Sequence, residues 1–154
     1  MKYRLAVALA LGLTLAATGA ALPQAQGPRA QSELTQMMVK SYDLLEAGKL
    51  DQAAEIYREV LRRDPGNPLA LNNLGAIEVK KKNYRQALTY LEQARARAKG
   101  YKVKVNRVCD AQGSCLAFRP LAEEYGNQDL EPLILLNINL VREALLATAT
   151  PKSE

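Results

Sequence analysis

Residues 68–100, PLALNNLGAIEVKKKNYRQALTYLEQARARAKG, decide the fold, because the residues before them show the same pattern 34 positions earlier. Residues of similar role recur in phase: Leu50 with Tyr84, Ala53 with Ala87, Tyr57 with Leu91 and Val60 with Ala94. A fixed period of this length is typical of stacked helical repeats. Residues 34–67 and 68–100 are therefore predicted to be two tandem copies of one structural unit.

The second copy has helical spacing. Tyr84, Ala87, Leu91 and Ala94 lie three, four and three positions apart, which places them on one face of a helix. Pro65-Gly-Asn-Pro68 breaks the chain between the copies, because proline does not continue a helix and asparagine followed by proline suits the start of the next. Each copy is therefore a helical hairpin, with helices predicted at Glu33–Ala47, Leu50–Arg63, Pro68–Lys81 and Tyr84–Lys99. An ordinary antiparallel bundle with accidental periodicity is the alternative.

The second copy also resembles a known family. The residues that carry the resemblance to the tetratricopeptide repeat are Leu71, Leu74, Gly75, Tyr84, Ala87, Leu91 and Ala94. The first copy is similar but looser, with Met37, Ser41, Leu44, Gly48, Leu50, Ala53, Tyr57, Val60 and Asp64-Pro65. About three units are usually needed for a stable repeat array, so the residues after Gly100 are expected to cover the last helix.

Residues 1–20 have the features of a secretory signal peptide. Lys2 and Arg4 precede an uncharged run, and small residues follow it at Thr18-Gly-Ala-Ala21. Cleavage is expected after Ala20 or Ala21, which predicts export to the bacterial periplasm and no membrane contact afterwards. An uncleaved membrane anchor is the alternative. Residues 21–32 are rich in Pro, Gln, Ala and Gly and are predicted to be a disordered lead-in.

The pattern changes at residues 101–120. Residues 101–108, YKVKVNRV, alternate between polar and apolar side chains and predict a strand, and a second extended stretch begins at Cys115. Cys109 and Cys115 flank a five-residue turn, DAQGS. In an exported chain this arrangement predicts a β-hairpin insertion tied by a Cys109–Cys115 disulfide. A redox-active pair or a metal site is the weaker alternative, because the spacing is not C-x-x-C and the chain has no histidine.

The last segment, residues 121–148, is predicted to hold a C-terminal helix capped by Asp129, with Pro132 in its first turn. Apolar residues from Leu133 to Leu146 cover most of its circumference, so it is expected to be buried on more than one side. It takes the place of the first helix of a third unit, and residues 149–154 form a tail. The predicted fold class is all-α: two repeat hairpins, a C-terminal packing helix and an inserted disulfide-tied β-hairpin.

The composition argues against several functions. The chain has 154 residues and no histidine or tryptophan, which removes the Ser–His and Cys–His arrangements and most transition-metal sites. Without the leader the formal charge falls from +5 to +3, and the cations are spread along helices rather than grouped for nucleic acid. We therefore predict no catalytic residues, no cofactor, no metal and no nucleic-acid partner.

The family resemblance implies that the first helix of each hairpin lines a concave groove for an extended or helical peptide. The candidate groove residues are Met38, Val39, Tyr42, Leu45, Asn72, Asn73, Ala76, Val79 and Lys80. Asn73 resembles the asparagine that bonds a bound peptide in many such domains, although Met38 and Tyr42 do not reproduce the charged carboxylate clamp of the chaperone-binding members. Asn72 and Asn73 are equally consistent with solvated positions on a helix.

The predicted function is a protein-binding adaptor or assembly factor. The alternatives are a scaffold that forms a homodimer through the C-terminal helix, and an accessory subunit of a periplasmic enzyme or an envelope or secretion complex.

Overall fold

The computed structural model describes residues 28–103, 105–107, 115–120 and 128–149. In these ranges the chain is mainly helical. The helices are α1 (Pro28–Glu46), α2 (Leu50–Arg63), α3 (Pro68–Lys80), α4 (Tyr84–Ala98) and α5 (Leu130–Ala149). The helices α1 and α2 form one hairpin, α3 and α4 form the next, and α5 packs against α4. The repeat architecture expected from the 34-residue period is thus confirmed.

The turns inside the two hairpins repeat at the same step of 34 residues. In the first hairpin the amide of Gly48 donates to Leu45 O at 3.1 Å, and in the second the amide of Lys82 donates to Val79 O at 2.8 Å. Both residues have a left-handed backbone, with φ of 72° at Gly48 and 62° at Lys82. The hairpins therefore share a backbone conformation even where glycine is replaced by lysine.

The second hairpin begins with the capping arrangement that its sequence predicts. The Asn67 side chain accepts hydrogen bonds from the amides of Leu69 and Ala70 at 3.1 and 3.0 Å, and Pro68 occupies the first helical turn. These bonds satisfy two of the amides that a helix start leaves without partners.

The two helices of this hairpin meet at small residues. Gly75, Ala87 and Leu91 are buried at the contact between α3 and α4. A Cβ atom at Gly75 would lie 2.9 Å from Leu91 Cγ and 3.3 Å from the carbonyl oxygen of Ala87. The backbones approach each other as closely as glycine allows, which is why the family pattern has small residues here.

The β structure differs from the predicted single hairpin. The stretch predicted as one strand forms two short ones: β1 (Lys102–Val103) pairs antiparallel with β4 (Gln128–Asp129), and β2 (Val105–Arg107) pairs antiparallel with β3 (Phe118–Pro120). In the second ladder Val105 lies opposite Pro120 and Arg107 opposite Phe118. The alternation correctly indicated extended chain, but the prediction of one continuous partner was wrong. Cys109 lies outside the described residues, so the disulfide stays a prediction.

One helix start differs from the expectation, and another agrees with it. The helix α1 begins at Pro28, so residues 28–32 of the predicted lead-in are helical, consistent with the tolerance of proline in the first helical turn. The helix α5 begins at Leu130, with Asp129 Oδ1 accepting from the amide of Glu131 at 3.1 Å, as a cap does. The predicted signal peptide, residues 1–20, and tail residues 150–154 lie outside the described residues.

Candidate functional site

The predicted groove residues lie mostly inside the protein. Of the nine, six are buried: Met38, Tyr42, Leu45, Asn72, Asn73 and Ala76. Val39 and Val79 are half-buried, and Lys80 is exposed. The expectation that these residues together line an open groove was wrong, because part of the chain itself lies over the asparagines.

The covering element is an extended stretch, residues 115–120, which we call the crossing segment. It packs against the first helices of both hairpins, α1 and α3. Leu116, Ala117 and Phe118 are buried, with Phe118 fully so. The segment therefore lies where the family resemblance places a bound peptide.

Asn73 on α3 holds the backbone of Phe118 from both sides. Its Nδ2 donates to Phe118 O at 2.7 Å, and its Oδ1 accepts from Phe118 N at 2.9 Å. The same Nδ2 donates to Tyr57 Oη at 2.9 Å, and the same Oδ1 accepts from Asn72 Nδ2 at 3.1 Å. The carboxamide thus uses its two donors and two acceptor sites in full.

A second pair of amides holds the carbonyl of Leu116. Asn72 Nδ2 donates to Leu116 O at 2.8 Å, and Asn137 Nδ2, from α5, donates to the same oxygen at 2.9 Å. Asn137 Nδ2 also donates to Asn72 Oδ1 at 2.9 Å. The network therefore joins α3, α5 and the crossing segment. Asn137 Oδ1 is buried and has no hydrogen-bond partner in the described part of the chain.

One cationic side chain of the crossing segment, that of Arg119, reaches solvent. Arg119 is half-buried, and its Nε donates to Asp43 Oδ1 on α1 at 3.2 Å. This contact places one ion pair at the rim of the groove. An ion pair with this much exposure contributes little to stability.

Two phenols near the network have altered acidity. Burial raises the pKa of Tyr57 well above its ordinary value, although its hydrogen bond with Asn73 opposes the change. Burial and the neighbouring Glu46 carboxylate raise the pKa of Tyr42, which donates to Glu46 Oε1 at 3.1 Å. Both phenols are therefore neutral at physiological pH.

Phe118, Asp43 and Asn137 belong to this site but were not among the residues predicted from the sequence. Asn137 carried a usable signal, because an amide inside the apolar run of α5 needs a polar partner once that helix is buried. Phe118 carried a weaker one as the only phenylalanine of the chain. Nothing in the sequence paired either residue with α3.

The described residues form other surfaces as well. A depression of about 510 Å³ lies on α1 beside Val39, Lys40 and Leu44. The helix α5 exposes Leu135, Leu136, Leu140 and Leu146. By length and composition alone α5 is also long and apolar enough to span a membrane, and 22% of its most apolar stretch is buried. Among the described residues no cluster of histidine, cysteine and carboxylate side chains is suited to a metal.

Comparison with known proteins agrees with the repeat geometry. A tetratricopeptide repeat family model matches residues 44–102, which run from the last turn of α1 to the start of β1. No curated protein and no solved structure gives a significant match. The 34-residue step in sequence, the turns repeated at that step and the family match agree, and the chain therefore contains tetratricopeptide repeats in residues 44–102.

Proposed function

We propose that this protein is a non-catalytic protein-binding module, an adaptor or assembly factor, which holds an extended segment of a partner on the concave face formed by α1, α3 and α5. Tetratricopeptide repeats generally mediate protein–protein interaction. The observation that supports this site is the Asn73 carboxamide, which bonds the N–H and the C=O of a single residue in an extended chain. Such a pair recognises backbone rather than a particular side chain, so it suits a polypeptide ligand.

The types of side chain at the site also support the binding role. The sequence contains no histidine, and the charged side chains of the described residues form no metal-ligating cluster. The side chains that hold the backbone of the crossing segment are amides, which hydrogen-bond well but do not titrate and are poor nucleophiles. We therefore assign no catalytic residue, cofactor or metal to this site.

We place the mature protein in the bacterial periplasm. The charged start, apolar run and small residues of the first 21 positions support export. A disulfide between Cys109 and Cys115 fits that compartment, and it would restrain the first residue of the crossing segment.

Site-specific photo-crosslinking tests the concave site. A photoreactive amino acid is placed at Val39, Asp43 or Lys80 around the concave face, and at Gln52, Glu55 or Gln93 as exposed controls on the second helices of the hairpins. We expect one periplasmic partner to be crosslinked from the first three positions and not from the controls. Sequencing of the crosslinked peptide then identifies the bound segment.

A different pattern would contradict the proposal. Equal crosslinking from the controls would mean that the partner does not use the concave face. Crosslinks from Leu136 or Leu140 and none from the concave positions would place the interface on α5.

The exposed leucines favour one second candidate, a homodimer formed through α5. Leu135, Leu136 and Leu140 are 37%, 42% and 40% exposed, and Leu146 is 69% exposed. Light scattering of the mature chain at several concentrations tests this candidate, with Leu136→Glu and Leu140→Glu expected to abolish any dimer. A monomer at all concentrations would rule it out.

A further inference from the structure

We infer that the crossing segment is an internal ligand: it occupies the partner site, and the partner segment that replaces it has the same chemistry, an aliphatic, a small, an aromatic and a cationic residue in succession. This inference rests on the proposed function of the concave face. It adds the class of partner segment and the competitor that the partner displaces.

The backbone contacts of the crossing segment are those of a bound peptide. In the described residues, amide side chains hold its backbone to α3 and α5: Asn73 bonds Phe118, and Asn72 and Asn137 bond the carbonyl of Leu116. Side-chain amides bond any extended backbone presented at the same place. The same groups therefore serve equally for a segment from another chain.

The side chains of the crossing segment define what the site accepts. Phe118 is completely buried, and Leu116 and Ala117 are 6% and 7% exposed. Arg119 reaches the rim and pairs with Asp43. A replacement buries an aromatic ring two residues after an aliphatic side chain, with a buried small residue between them, and gains an ion pair from a following cation.

The crossing segment is held by the groove more than by its own strand pairing. Its described ladder with β2 has three residue pairs, and a two-stranded ladder of that size is marginal in water. The segment can leave the groove without breaking the contacts between α1 and α2 or between α3 and α4.

One buried acceptor atom in the site receives no hydrogen bond from the crossing segment. Asn137 Oδ1 is buried without a hydrogen-bond partner among the described residues. A buried unsatisfied acceptor is costly. A partner segment with a donor at this point would gain a bond that the crossing segment lacks, which gives a physical reason for exchange.

The internal ligand competes strongly because it is tethered. A tethered segment acts at an effective concentration in the millimolar range. A free peptide of the same sequence should therefore bind the wild-type protein weakly, and much better when the crossing segment is weakened.

The test uses a fluorescein-labelled peptide with the sequence of residues 114–121, in which serine replaces Cys115, and measures its anisotropy with the full-length mature protein. The variants are Phe118→Ala, which removes the buried ring, and Arg119→Glu, which opposes Asp43. Arg142→Glu is the matched control, because Arg142 is an exposed cation whose Nη2 pairs with Glu92 Oε1 at 3.1 Å away from the groove. We expect the peptide to bind Phe118→Ala at least about tenfold tighter than wild type and Arg119→Glu about threefold tighter, with Arg142→Glu unchanged.

A second peptide tests backbone recognition. Methylation of the phenylalanine nitrogen removes the N–H that Asn73 Oδ1 accepts. We expect this peptide to bind Phe118→Ala at least about tenfold more weakly than the unmodified one. Equal binding of both peptides would overturn the inference.

Equal affinity for wild type and for a folded Phe118→Ala would also overturn it. If circular dichroism shows that Phe118→Ala does not fold, Arg119→Glu decides, and no gain over Arg142→Glu overturns the inference. A partner crosslinked from Val39 and Asp43 without any peptide effect would keep the proposed function and reject the internal ligand. Tighter peptide binding with the partner crosslinked only from α5 would keep the crossing segment as an exchangeable internal ligand and reject the concave face as the partner's binding site.

Discussion

Asn73 and Phe118 are 45 residues apart in the chain, yet the side chain of the first bonds both backbone groups of the second, at 2.9 Å to N and 2.7 Å to O. The carboxamide supplies the crossing segment with the backbone donor and acceptor that a neighbouring strand would otherwise supply. The segment is therefore fixed to α3 without needing a sheet around it.

This bond pair predicts a large effect of Asn73→Ala. The change leaves Phe118 N and O without the amide that holds them, and unsatisfied buried groups cost about 1–3 kcal/mol each. We expect the free energy of unfolding to fall by about 2–4 kcal/mol in urea titrations. The control is Gln52→Ala, an exposed amide on α2. Similar midpoints for the two variants would show that the Asn73 bonds contribute little.

The close contact between α3 and α4 predicts intolerance of size. Ala87→Leu adds three carbons next to the carbonyl that a Cβ at Gly75 would already approach to 3.3 Å. Overpacking of this kind costs about 1–3 kcal/mol. Ala96→Leu is the matched control, because Ala96 is exposed on the same helix. Equal losses of stability, measured by thermal unfolding, would mean that the helix phase has been misassigned.

The left-handed turn at Lys82 predicts a stabilising substitution. Lys82 has φ of 62°, a conformation that costs an L-residue with a side chain about 1 kcal/mol and glycine almost nothing. Lys82→Gly should therefore raise the free energy of unfolding by about 0.5–1 kcal/mol. The equivalent position of the first hairpin supplies the reverse test, since Gly48 has φ of 72° and open space around its Cβ position. Gly48→Ala should lower stability by a similar amount, and the same sign for both changes would contradict the argument.

Burial of Tyr57 predicts a loss of stability in alkali. Its raised pKa means that the folded protein keeps a proton which the unfolded chain releases near pH 10. The stabilisation is complete below about pH 10 and declines above it, by up to about 1.4 kcal/mol per pH unit for one phenol. Urea titrations between about pH 9 and 11 should show this decline, and Tyr57→Phe should make it shallower. An unchanged slope in Tyr57→Phe would assign the decline to other groups.

The sequence also predicts a disulfide between Cys109 and Cys115. Closing so short a loop stabilises the folded chain by about 2 kcal/mol on the chain-entropy model. Thiol labelling of the exported protein under denaturing conditions should detect no free cysteine before reduction. Labelling of both thiols in unreduced protein taken from the periplasm would disprove the pairing.

The repeats were predictable because their information is local. The helix starts at Leu50, Pro68 and Tyr84 follow from turn residues and from apolar spacing within a few positions, and the structure places them there. The 34-residue period then links one hairpin to the next without any knowledge of long-range contacts. The small residues Gly75 and Ala87 marked the helix contact in the same local way.

The groove could not be predicted in the same way. The sequence assigned Asn72 and Asn73 to the groove side of α3, but their burial depends on the crossing segment, which is more than 40 residues away. The strands show the same limit. Alternation in residues 101–108 indicates extended chain, but it does not indicate that β1 pairs with β4 while β2 pairs with β3. The sequence pattern of a helix or strand indicates which of its faces is apolar, but it does not indicate which part of the chain covers that face.

The crossing segment changes how the protein should unfold. In a simple repeat array each unit touches only its neighbours, so the array can lose terminal units one at a time. Here the crossing segment packs against α1, and Asn137 of α5 bonds both Leu116 of that segment and Asn72, 65 residues earlier, so the first and last helices are joined through the segment. The end helices therefore cannot fray independently, and denaturation should follow one sharp transition. Folding should also be slower than for an isolated helical hairpin, because the native state requires contacts between residues that are far apart in sequence.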